Sequence, residues 1–346
     1  MKILFVSNYE PWKLVATGLM PSNHLFGIKE VLDGLVEDEN GQWHGYLKDG
    51  IVDFICIKSF SIKRLFKYYF LASQYDVVYD VLNVVSKYLG LIPDCFRTFK
   101  LVSILHHPPF DKQLKYSSSD AYIFFSQAFL DIAKKVFPEK SAKMFVNEWH
   151  PDIAYYQIEN KQEIKFDFVD CGRTNRDHKT VIEALIATGS KGLFFDRKRI
   201  REQQKYNINE GINTFFYKEN FIPDTEYVNL MKSAKVMILA LPKSNQVLGP
   251  LGATVIMDAL GLKMPIICSD NSYCCDVIEK EGLGLVYKAE DVASLIQCMN
   301  AIKDEQKYLA CKKNITKYNM GGQMIDYSNN IMQIIYNVLK KNGNGN

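Results

Sequence analysis

Short apolar strands alternate with helices in two successive series, and this alternation constrains the fold more than any other feature of the chain. The first series contains "KILFVS", "IVDFICI", "DVVYDVL", "KLVSILHH" and "AYIFFS", with helices expected near residues 24–38 and 61–73. The second contains "FDFVDCG", "GLFFD", "NTFFYK", "KVMILAL" and "MPIICSD". Short, largely apolar strands separated by helices are typical of parallel sheets with helices on both faces. The pattern predicts an α/β protein with two Rossmann-like, doubly wound domains facing a cleft.

The two series are separated by "EWHPDIAYYQIENKQEIK", which carries a proline and a charged stretch without periodicity. We therefore place an N-terminal domain at residues 1–155 and a C-terminal domain at 156–322. A final helix within 323–346 is expected to pack back on the N-terminal domain. The chain has 346 residues, 47% of them hydrophobic, which is enough for two separate cores.

Composition and charge exclude several classes of function. The net charge of +3 argues against a nucleic-acid-binding protein that relies on a broad basic surface. The eight cysteines include no C-x2-C pair, so no zinc site is predicted, and we expect them to be reduced core residues. The opening "MKILFVS" is too short for a signal peptide, and no apolar run is long enough to span a bilayer. A cytoplasmic protein is expected.

The segment "VDCGRTNRDHKT" leads from an apolar strand through a cationic turn into a helix. Gly172 permits a tight turn, and Arg173, Arg176 and Lys179 can direct cations into the space above the strand end, where ligands of such folds bind. Arginine forks and a lysine point charge suit a diphosphate whose negative charge grows as it leaves. The alternative is a solvated loop in which Asp177 pairs with one of the two arginines.

A second segment, "LGPLGATVIMDALGLKMPIICSD", places a glycine-rich turn before a helix that starts near Ala253. The unpaired backbone N–H groups of that helix start predict a second anion site beside Gly252. Asp258, about one and a half turns further along, can accept hydrogen bonds from a ribose. The alternative is that the glycines only form a tight left-handed turn.

Together, "GRTNRDHKTVIEAL" and "GATVIMDALGLKMPIICSD" resemble the donor half of GT-B glycosyltransferases, especially the retaining family 4. The first domain is similar to the same family at "MKILFVSN", "MPSNHLFGIKEVLDGL", "SILHHPPF", "DAYIFFSQ" and "NEWHPDIAYY", so the resemblance extends over nearly the whole chain. It implies that Arg173 and Lys179 hold the diphosphate of a nucleotide sugar and that Asp258 holds its ribose.

The chain departs from that family at one position. The family usually has two glutamates eight residues apart, whereas here the second is Asp258 and the first is Pro250. The side chain that would grip the transferred sugar is therefore missing. The backbone amides of Gly252, Ala253 and Thr254 are expected to take over its contact.

Three histidines of the first domain are candidates for the acceptor side of the cleft. His24 starts a predicted helix, and His106 and His107 end a strand. A histidine there can bind the sugar or the acceptor, or act as a base if the reaction inverts configuration. We select His24 and His106, while a purely structural role stays open for each. Adjacent histidines point in opposite directions along a strand, so they make a poor metal pair.

Residues 59–75, "SFSIKRLFKYYFLASQY", interleave basic and aromatic side chains. Such a helix can lie on an anionic membrane, where a lipid-linked acceptor would be found. The alternative is an ordinary helix that packs Leu65, Phe66 and Tyr69 on the sheet.

These features predict a glycosyltransferase that moves a sugar from a nucleotide sugar, expected to be UDP-linked, to a saccharide or lipid-linked acceptor in surface polysaccharide or glycoconjugate synthesis. No metal and no cofactor beyond the donor are expected, and the protein is placed in the cytoplasm or peripherally at the inner face of the cell membrane. Two alternatives stay open, namely a sugar-nucleotide epimerase of similar fold and an inactive nucleotide-sugar-binding module. An NAD oxidoreductase is disfavoured because no G-x-G-x-x-G follows either opening strand.

Overall fold

The computed structural model describes residues 1–58, 64–105, 114–116, 118–157, 162–172, 175–195, 214–216, 224–243 and 251–340. The chain divides into two compact units. One consists of Met1–His150 together with Gln323–Asn346, and the other of Pro151–Gly322. The first division falls inside the segment where the sequence pattern breaks, a few residues before the boundary placed from the sequence.

The first unit is built on an eight-stranded sheet whose strands are β1 (Lys2–Ser7), β2 (Gly34–Glu37), β3 (Trp43–Leu47), β4 (Gly50–Cys56), β5 (Val77–Asp80), β6 (Lys100–Ile104), β7 (Ala121–Phe124) and β8 (Met144–Val146). Their spatial order is β2-β3-β4-β1-β5-β6-β7-β8. The pairs from β4 to β8 are parallel, whereas β3 pairs antiparallel with both β2 and β4. The predicted parallel sheet is therefore extended by an antiparallel hairpin.

The helices of the first unit before the domain change are α1 (Pro11–Ala16), α2 (Leu65–Ala72), α3 (Ser86–Leu89) and α4 (Gln127–Val136). The helix expected near residues 24–38 was wrong. That stretch holds two short 3-10 turns, Ser22–Leu25 and Lys29–Val31, followed by β2. Phe26 and Gly27 have φ values of 47° and 82°, a left-handed backbone that a continuous helix does not permit.

The second unit contains a six-stranded, fully parallel sheet with the order β11-β10-β9-β12-β13-β14. Its strands are β9 (Phe166–Asp170), β10 (Gly192–Phe194), β11 (Thr214–Phe216), β12 (Ala234–Leu239), β13 (Ile266–Ser269) and β14 (Gly284–Tyr287). Its helices are α5 (Ile153–Tyr156), α6 (His178–Thr188), α7 (Asp224–Lys232), α8 (Ala253–Gly261), α9 (Cys275–Lys280), α10 (Val292–Ile302) and α11 (Glu305–Gly321).

The strand order of the second unit reverses between β9 and β12. The chain builds outward from β9 through β10 to β11, then returns to the other side of β9 to add β12, β13 and β14. In open parallel sheets, ligands bind outside the carboxyl ends of the strands at such a reversal. A ligand site is therefore expected at the turns that follow β9 and β12.

The last helix, α12 (Met324–Lys340), belongs to the first unit. The Asn147 side-chain amide donates a 2.9 Å hydrogen bond to the Tyr327 carbonyl, and the Ser328 hydroxyl donates a 3.0 Å bond to Glu30. A Cβ added to Gly27 would come within 2.7 Å of the Tyr327 ring, so helix and loop are in close contact. This helix completes the core of the first unit.

Two further observations concern the chain as a whole. All eight cysteines are free, and most are at least partly buried, but Cys95 is exposed, so the expectation of core cysteines was wrong for that residue. Within the part of the chain that the structure describes, no helix has both the length and the apolar character needed to cross a bilayer.

Candidate functional site

The strand β9 ends in a buried histidine–carboxylate pair that anchors the turn predicted to bind anions. Asp170 Oδ2 lies 2.7 Å from His178 Nδ1, and both side chains are at most 1% exposed. The other carboxylate oxygen of Asp170 accepts a 3.1 Å hydrogen bond from the Gly172 N–H. Asp177 caps α6 by accepting a hydrogen bond from the Thr180 N–H. The turn is thus fixed at both of its ends.

The side chain of Arg176 brings together the two motifs that the sequence places far apart. A Cβ added to Gly172 would overlap the Nε–Cζ portion of Arg176, and one added to Gly252 would lie 3.2 Å from its Nη2. The guanidinium therefore lies beside both the turn after β9 and the start of α8. Burial lowers the pKa of Arg176 and the charge of Asp170 opposes that shift. Because a guanidinium stays protonated in proteins, the group is a fixed cation.

Within the described part of the chain, the N-terminus of α8 has no side-chain cap, which suits it to binding an anion. Gly252 is the N-cap with φ of 86° and supplies no side-chain cap. A Cβ there would also come within 2.5 Å of Leu239. Both the positive φ and the lack of space therefore favour glycine at this position. The helix dipole and the uncapped N–H groups of the first turn favour negative charge at this end. Ala253 is buried and Thr254 is exposed in that first turn.

Asp258, the predicted ribose contact, lies on α8 with 8% of its surface exposed. The Tyr156 hydroxyl donates a 2.5 Å hydrogen bond to Asp258 Oδ1. Burial, and then the neighbouring carboxylate, raise the pKa of Tyr156 well above its ordinary value, so this hydroxyl stays a donor.

Lys179 lies in the first turn of α6 and is largely solvated. Its side chain is 61% exposed, and its Nζ is 3.9 Å from Glu183 Oε1. An exposed pair of this length contributes little to stability, so the lysine can leave its partner for an anionic ligand at little cost.

Four of the residues singled out in the sequence lie outside the described residues: Arg173, His106, His107 and Pro250. Their roles stay predictions.

His24 of the first unit is held in a polar and aromatic setting. Its Nδ1 lies 2.9 Å from the Tyr9 hydroxyl, and its ring meets the Trp149 ring edge-on at 6.3 Å. Burial lowers the pKa of His24 to about 4. The imidazole is therefore neutral near pH 7 and a weak base, which suits it to hydrogen bonding better than to proton abstraction.

Sequence reasoning missed three residues of this site, namely Tyr156, Asp170 and His178. The first lies in the segment taken for a domain boundary, and the other two were taken as parts of a strand and a helix. One signal was present. Gly261 ends α8 three residues after Asp258, and a Cβ there would overlap the Tyr156 ring. Among the described side chains, no group of three or more His, Cys, Asp or Glu could hold a metal ion.

Residues 191–318, all in the second unit, match the family model described as glycosyl transferases group 1. A search of curated proteins finds no match to the sequence.

Three solved structures illustrate the structural likeness. The crystal structure of Anabaena HepE in complex with UDP-glucose has 13% identity and a TM-score of 0.68, covering 97% of this chain and 100% of that one. Sucrose-phosphate synthase from Thermosynechococcus elongatus has 13% identity and a TM-score of 0.67, with coverages of 99% and 100%. The apo form of the lipopolysaccharide outer core galactosyltransferase WaaB has 15% identity and a TM-score of 0.63, with coverages of 97% and 99%. The predicted GT-B fold and the resemblance to group 1 glycosyltransferases are confirmed.

Proposed function

From the GT-B fold and the group 1 match in its second unit, we propose that this chain is a glycosyltransferase that uses a nucleotide sugar, UDP-linked, as its donor. One observation carries the proposal most directly. The Arg176 guanidinium lies beside both the Gly172 turn and the uncapped start of α8, at the strand reversal where such sheets bind ligands. The likeness to HepE, which was crystallised with UDP-glucose, supports the choice of nucleotide.

In the proposed reaction the bond between the sugar and the diphosphate breaks, and negative charge grows on the departing phosphate oxygen. Arg173, Arg176 and Lys179, with the first-turn N–H groups of α8, stabilise that charge. Asp258 accepts a hydrogen bond from the ribose, and the amides of Gly252, Ala253 and Thr254 contact the sugar. The same cations let the step proceed without a metal ion or an added cofactor.

We propose that the transferred sugar is a hexose and that its configuration is retained. In a retaining reaction the departing phosphate oxygen can take the proton of the acceptor hydroxyl, so no strong protein base is needed. The low pKa of His24 supports this route, because an imidazole with a pKa of about 4 is a poor base near pH 7. His24 and His106 then serve to bind the acceptor or the sugar.

Binding of the donor is tested by thermal unfolding with UDP, ADP and GDP. A ligand at a hundred times its Kd stabilises the folded protein by about 2.7 kcal/mol. We expect UDP to raise the Tm of the wild type and of the control variant Lys280→Ala, whose side chain is 82% exposed in the second unit. Arg176→Lys and Arg173→Ala should lose most of the shift. If none of the three nucleotides stabilises the wild type, the proposal fails.

Transfer is tested separately with UDP-glucose and UDP-galactose and a panel of saccharide and lipid-linked acceptors. Formation of a glycosylated product supports the proposal, and the anomeric configuration of that product decides between retention and inversion. Interconversion of the two donors would instead indicate an epimerase. Donor binding without turnover on any acceptor would indicate an inactive binding module.

We further propose that the first unit makes peripheral contact with the anionic inner face of the cell membrane. The helix α2 presents two different faces. Leu65 and Tyr69 pack against the core of the first unit, whereas Phe66 and Phe70 are 74% and 64% exposed. The expectation that this helix packs on the sheet therefore holds for Leu65 and Tyr69 but is wrong for Phe66.

A third phenylalanine extends this exposed surface. The Tyr69 hydroxyl donates a 2.5 Å hydrogen bond to the carbonyl of Phe96, whose side chain is 67% exposed. We call Phe66, Phe70 and Phe96 the phenylalanine patch. Exposed aromatic side chains beside cations are typical of surfaces that lie in the headgroup region of a membrane.

The charges around the phenylalanine patch favour anionic lipids. Arg64 and Lys67 are exposed on or beside α2. Each such cation contributes about 1 kcal/mol of attraction to an anionic surface. The acid nearest to Phe96 in sequence, Asp94, is already paired with Arg97 and Lys143. A lipid-linked acceptor would be brought to the enzyme by this contact.

Flotation with liposomes tests the membrane contact. We expect the wild type to float with vesicles of phosphatidylcholine and phosphatidylglycerol, and Phe66→Ser/Phe70→Ser to remain in the soluble fraction. The control Leu309→Ser/Met320→Ser removes exposed apolar side chains from the second unit and should float like the wild type. Failure of the wild type to float, or flotation of the phenylalanine variant, would contradict the contact.

A further inference from the structure

The carboxylate proposed to bind ribose is itself held by a side chain from a distant part of the chain. Tyr156 ends the short helix α5, 102 positions before Asp258, and its hydroxyl donates a 2.5 Å hydrogen bond to Asp258 Oδ1. Both residues are buried, at 3% and 8% exposure. A short hydrogen bond to a carboxylate away from water is among the stronger polar contacts in proteins.

The backbone of α8 is shaped to admit the tyrosine ring. Gly261 lies three residues after Asp258, so the two positions share one face of the helix. A Cβ on Gly261 would overlap the Tyr156 ring at Cδ2 and Cγ. The ring therefore lies against the bare helix backbone, and from there its hydroxyl reaches the carboxylate one turn earlier.

Neighbouring groups fix the direction of the hydrogen bond. Burial, and then the negative charge of Asp258, hold the pKa of Tyr156 well above its ordinary value. Burial likewise raises the pKa of Tyr227, and the charges of Cys171 and Asp258 add to that shift. Tyrosines that stay protonated can donate to a carboxylate but cannot compete with it for protons.

We infer that Tyr156 is a positioning residue for nucleotide recognition: it holds the carboxylate of Asp258 in the orientation that meets the ribose. The inference rests on the proposed function, in which Asp258 accepts a hydrogen bond from a ribose hydroxyl. An aspartate has two rotatable bonds, and fixing them before the ligand arrives removes an ordering cost from binding.

The test is a thermodynamic cycle between Tyr156 and the ribose hydroxyls. Calorimetry measures the affinity of UDP, 2′-deoxy-UDP and 3′-deoxy-UDP for the wild type, Tyr156→Phe and Asp258→Asn. We expect the wild type to lose affinity for at least one deoxy analogue. Tyr156→Phe should bind UDP about tenfold more weakly, the effect of one hydrogen bond to a charged group. Removing the recognised ribose hydroxyl from the ligand should weaken its binding to Tyr156→Phe little further.

The matched control is Tyr155→Phe, which removes a hydroxyl from the adjacent ring and leaves the bond to Asp258 in place. It should bind UDP like the wild type. Gly261→Ala displaces the Tyr156 ring without changing it and should reproduce the loss of ribose discrimination, so the test does not depend on one variant folding.

Three results would overturn the inference. Tyr156→Phe could bind UDP as tightly as the wild type while Asp258→Asn binds it weakly. Its affinity could also fall by the same factor for UDP and for both deoxy analogues, which would indicate a general structural role. In both cases the proposed function survives. If the wild type binds no UDP at all, the proposed function fails and the inference falls with it.

Discussion

A Cβ on Gly252 would lie 3.2 Å from Nη2 of Arg176, and the same arginine fills the space beside Gly172. An alanine at position 172 must therefore displace the guanidinium. If Arg176 binds the diphosphate as proposed, Gly172→Ala should weaken UDP binding about tenfold, because one charge-assisted contact is lost. Calorimetry with UDP measures the change. The control Gly34→Ala, where an added Cβ meets no atom within 4 Å, should leave binding unaltered.

The close approach of Tyr156 to α8 gives a prediction about stability. Gly261→Ala should lower the free energy of unfolding by about 1–3 kcal/mol, because the added methyl overlaps the ring in a packed interior. Gly321 is also the last residue of a helix, but a Cβ there meets no atom within 4 Å. Gly321→Ala should be neutral or stabilising by up to about 1 kcal/mol. Urea denaturation of both variants decides, and equal effects would contradict the proposed packing.

The cost of crowding Gly27 against α12 can be measured separately from the cost of backbone strain. Gly27 and Gly18 have φ values of 82° and 70°, so alanine is strained at both. At Gly18 an added Cβ meets no atom within 4 Å, and Gly18→Ala should cost about 1 kcal/mol. At Gly27 the Cβ would also approach the Tyr327 ring, and Gly27→Ala should cost about 1–3 kcal/mol more. Thermal and urea unfolding measure the difference, which would vanish if α12 did not pack there.

His24 should make stability depend on pH in a defined window. Its pKa is about 4 in the folded protein and about 6.5 when unfolded, so between these values the unfolded chain binds more protons. The folded state therefore loses stability as pH falls from 6.5 to 4. Above pH 6.5, His24 causes no such loss. Urea midpoints at pH 7.5, 5.5 and 4.5 should show a smaller decline for His24→Gln than for the wild type.

His44 provides the opposite sign as a control. Burial lowers its pKa, but the hydrogen bonds that its ring nitrogens make to Asp53 and Asp38, and the negative charges of those carboxylates, outweigh burial and raise the pKa overall. Its contribution is complete below pH 6.5 and is lost as pH rises through the folded pKa. His44→Gln should therefore destabilise most at low pH, by up to about 1 kcal/mol for a partly exposed pair. A parallel response of the two variants would contradict both assignments.

The architecture of the second unit could be predicted from the sequence because most residues of its strands are apolar and many are buried, as in β13 (Ile266–Ser269). That property leaves few arrangements besides a parallel sheet between helices. The cationic turn after β9 could be placed for the same reason, since the carboxyl ends of adjacent parallel strands share one edge. Local patterns failed where a short stretch of left-handed backbone decided the outcome, as at Phe26 and Gly27, where a helix was expected.

The polar contacts inside the site could not be predicted from the sequence. Whether Tyr156 meets Asp258, or Asp170 meets His178, depends on which buried groups the folded chain places together. Composition and periodicity carry no information about such pairings. A glycine at the last position of a helix, as at Gly261, leaves room for a close neighbour, but it does not identify that neighbour.

The last helix of the chain has a consequence for synthesis. Because α12 fills the core of the first unit, residues 1–150 emerge from the ribosome without the element that completes them. The second unit, residues 151–322, is whole before that helix exists. The first unit can therefore complete its core only after residues 151–322 have been made, whereas N-terminal domains usually finish folding first.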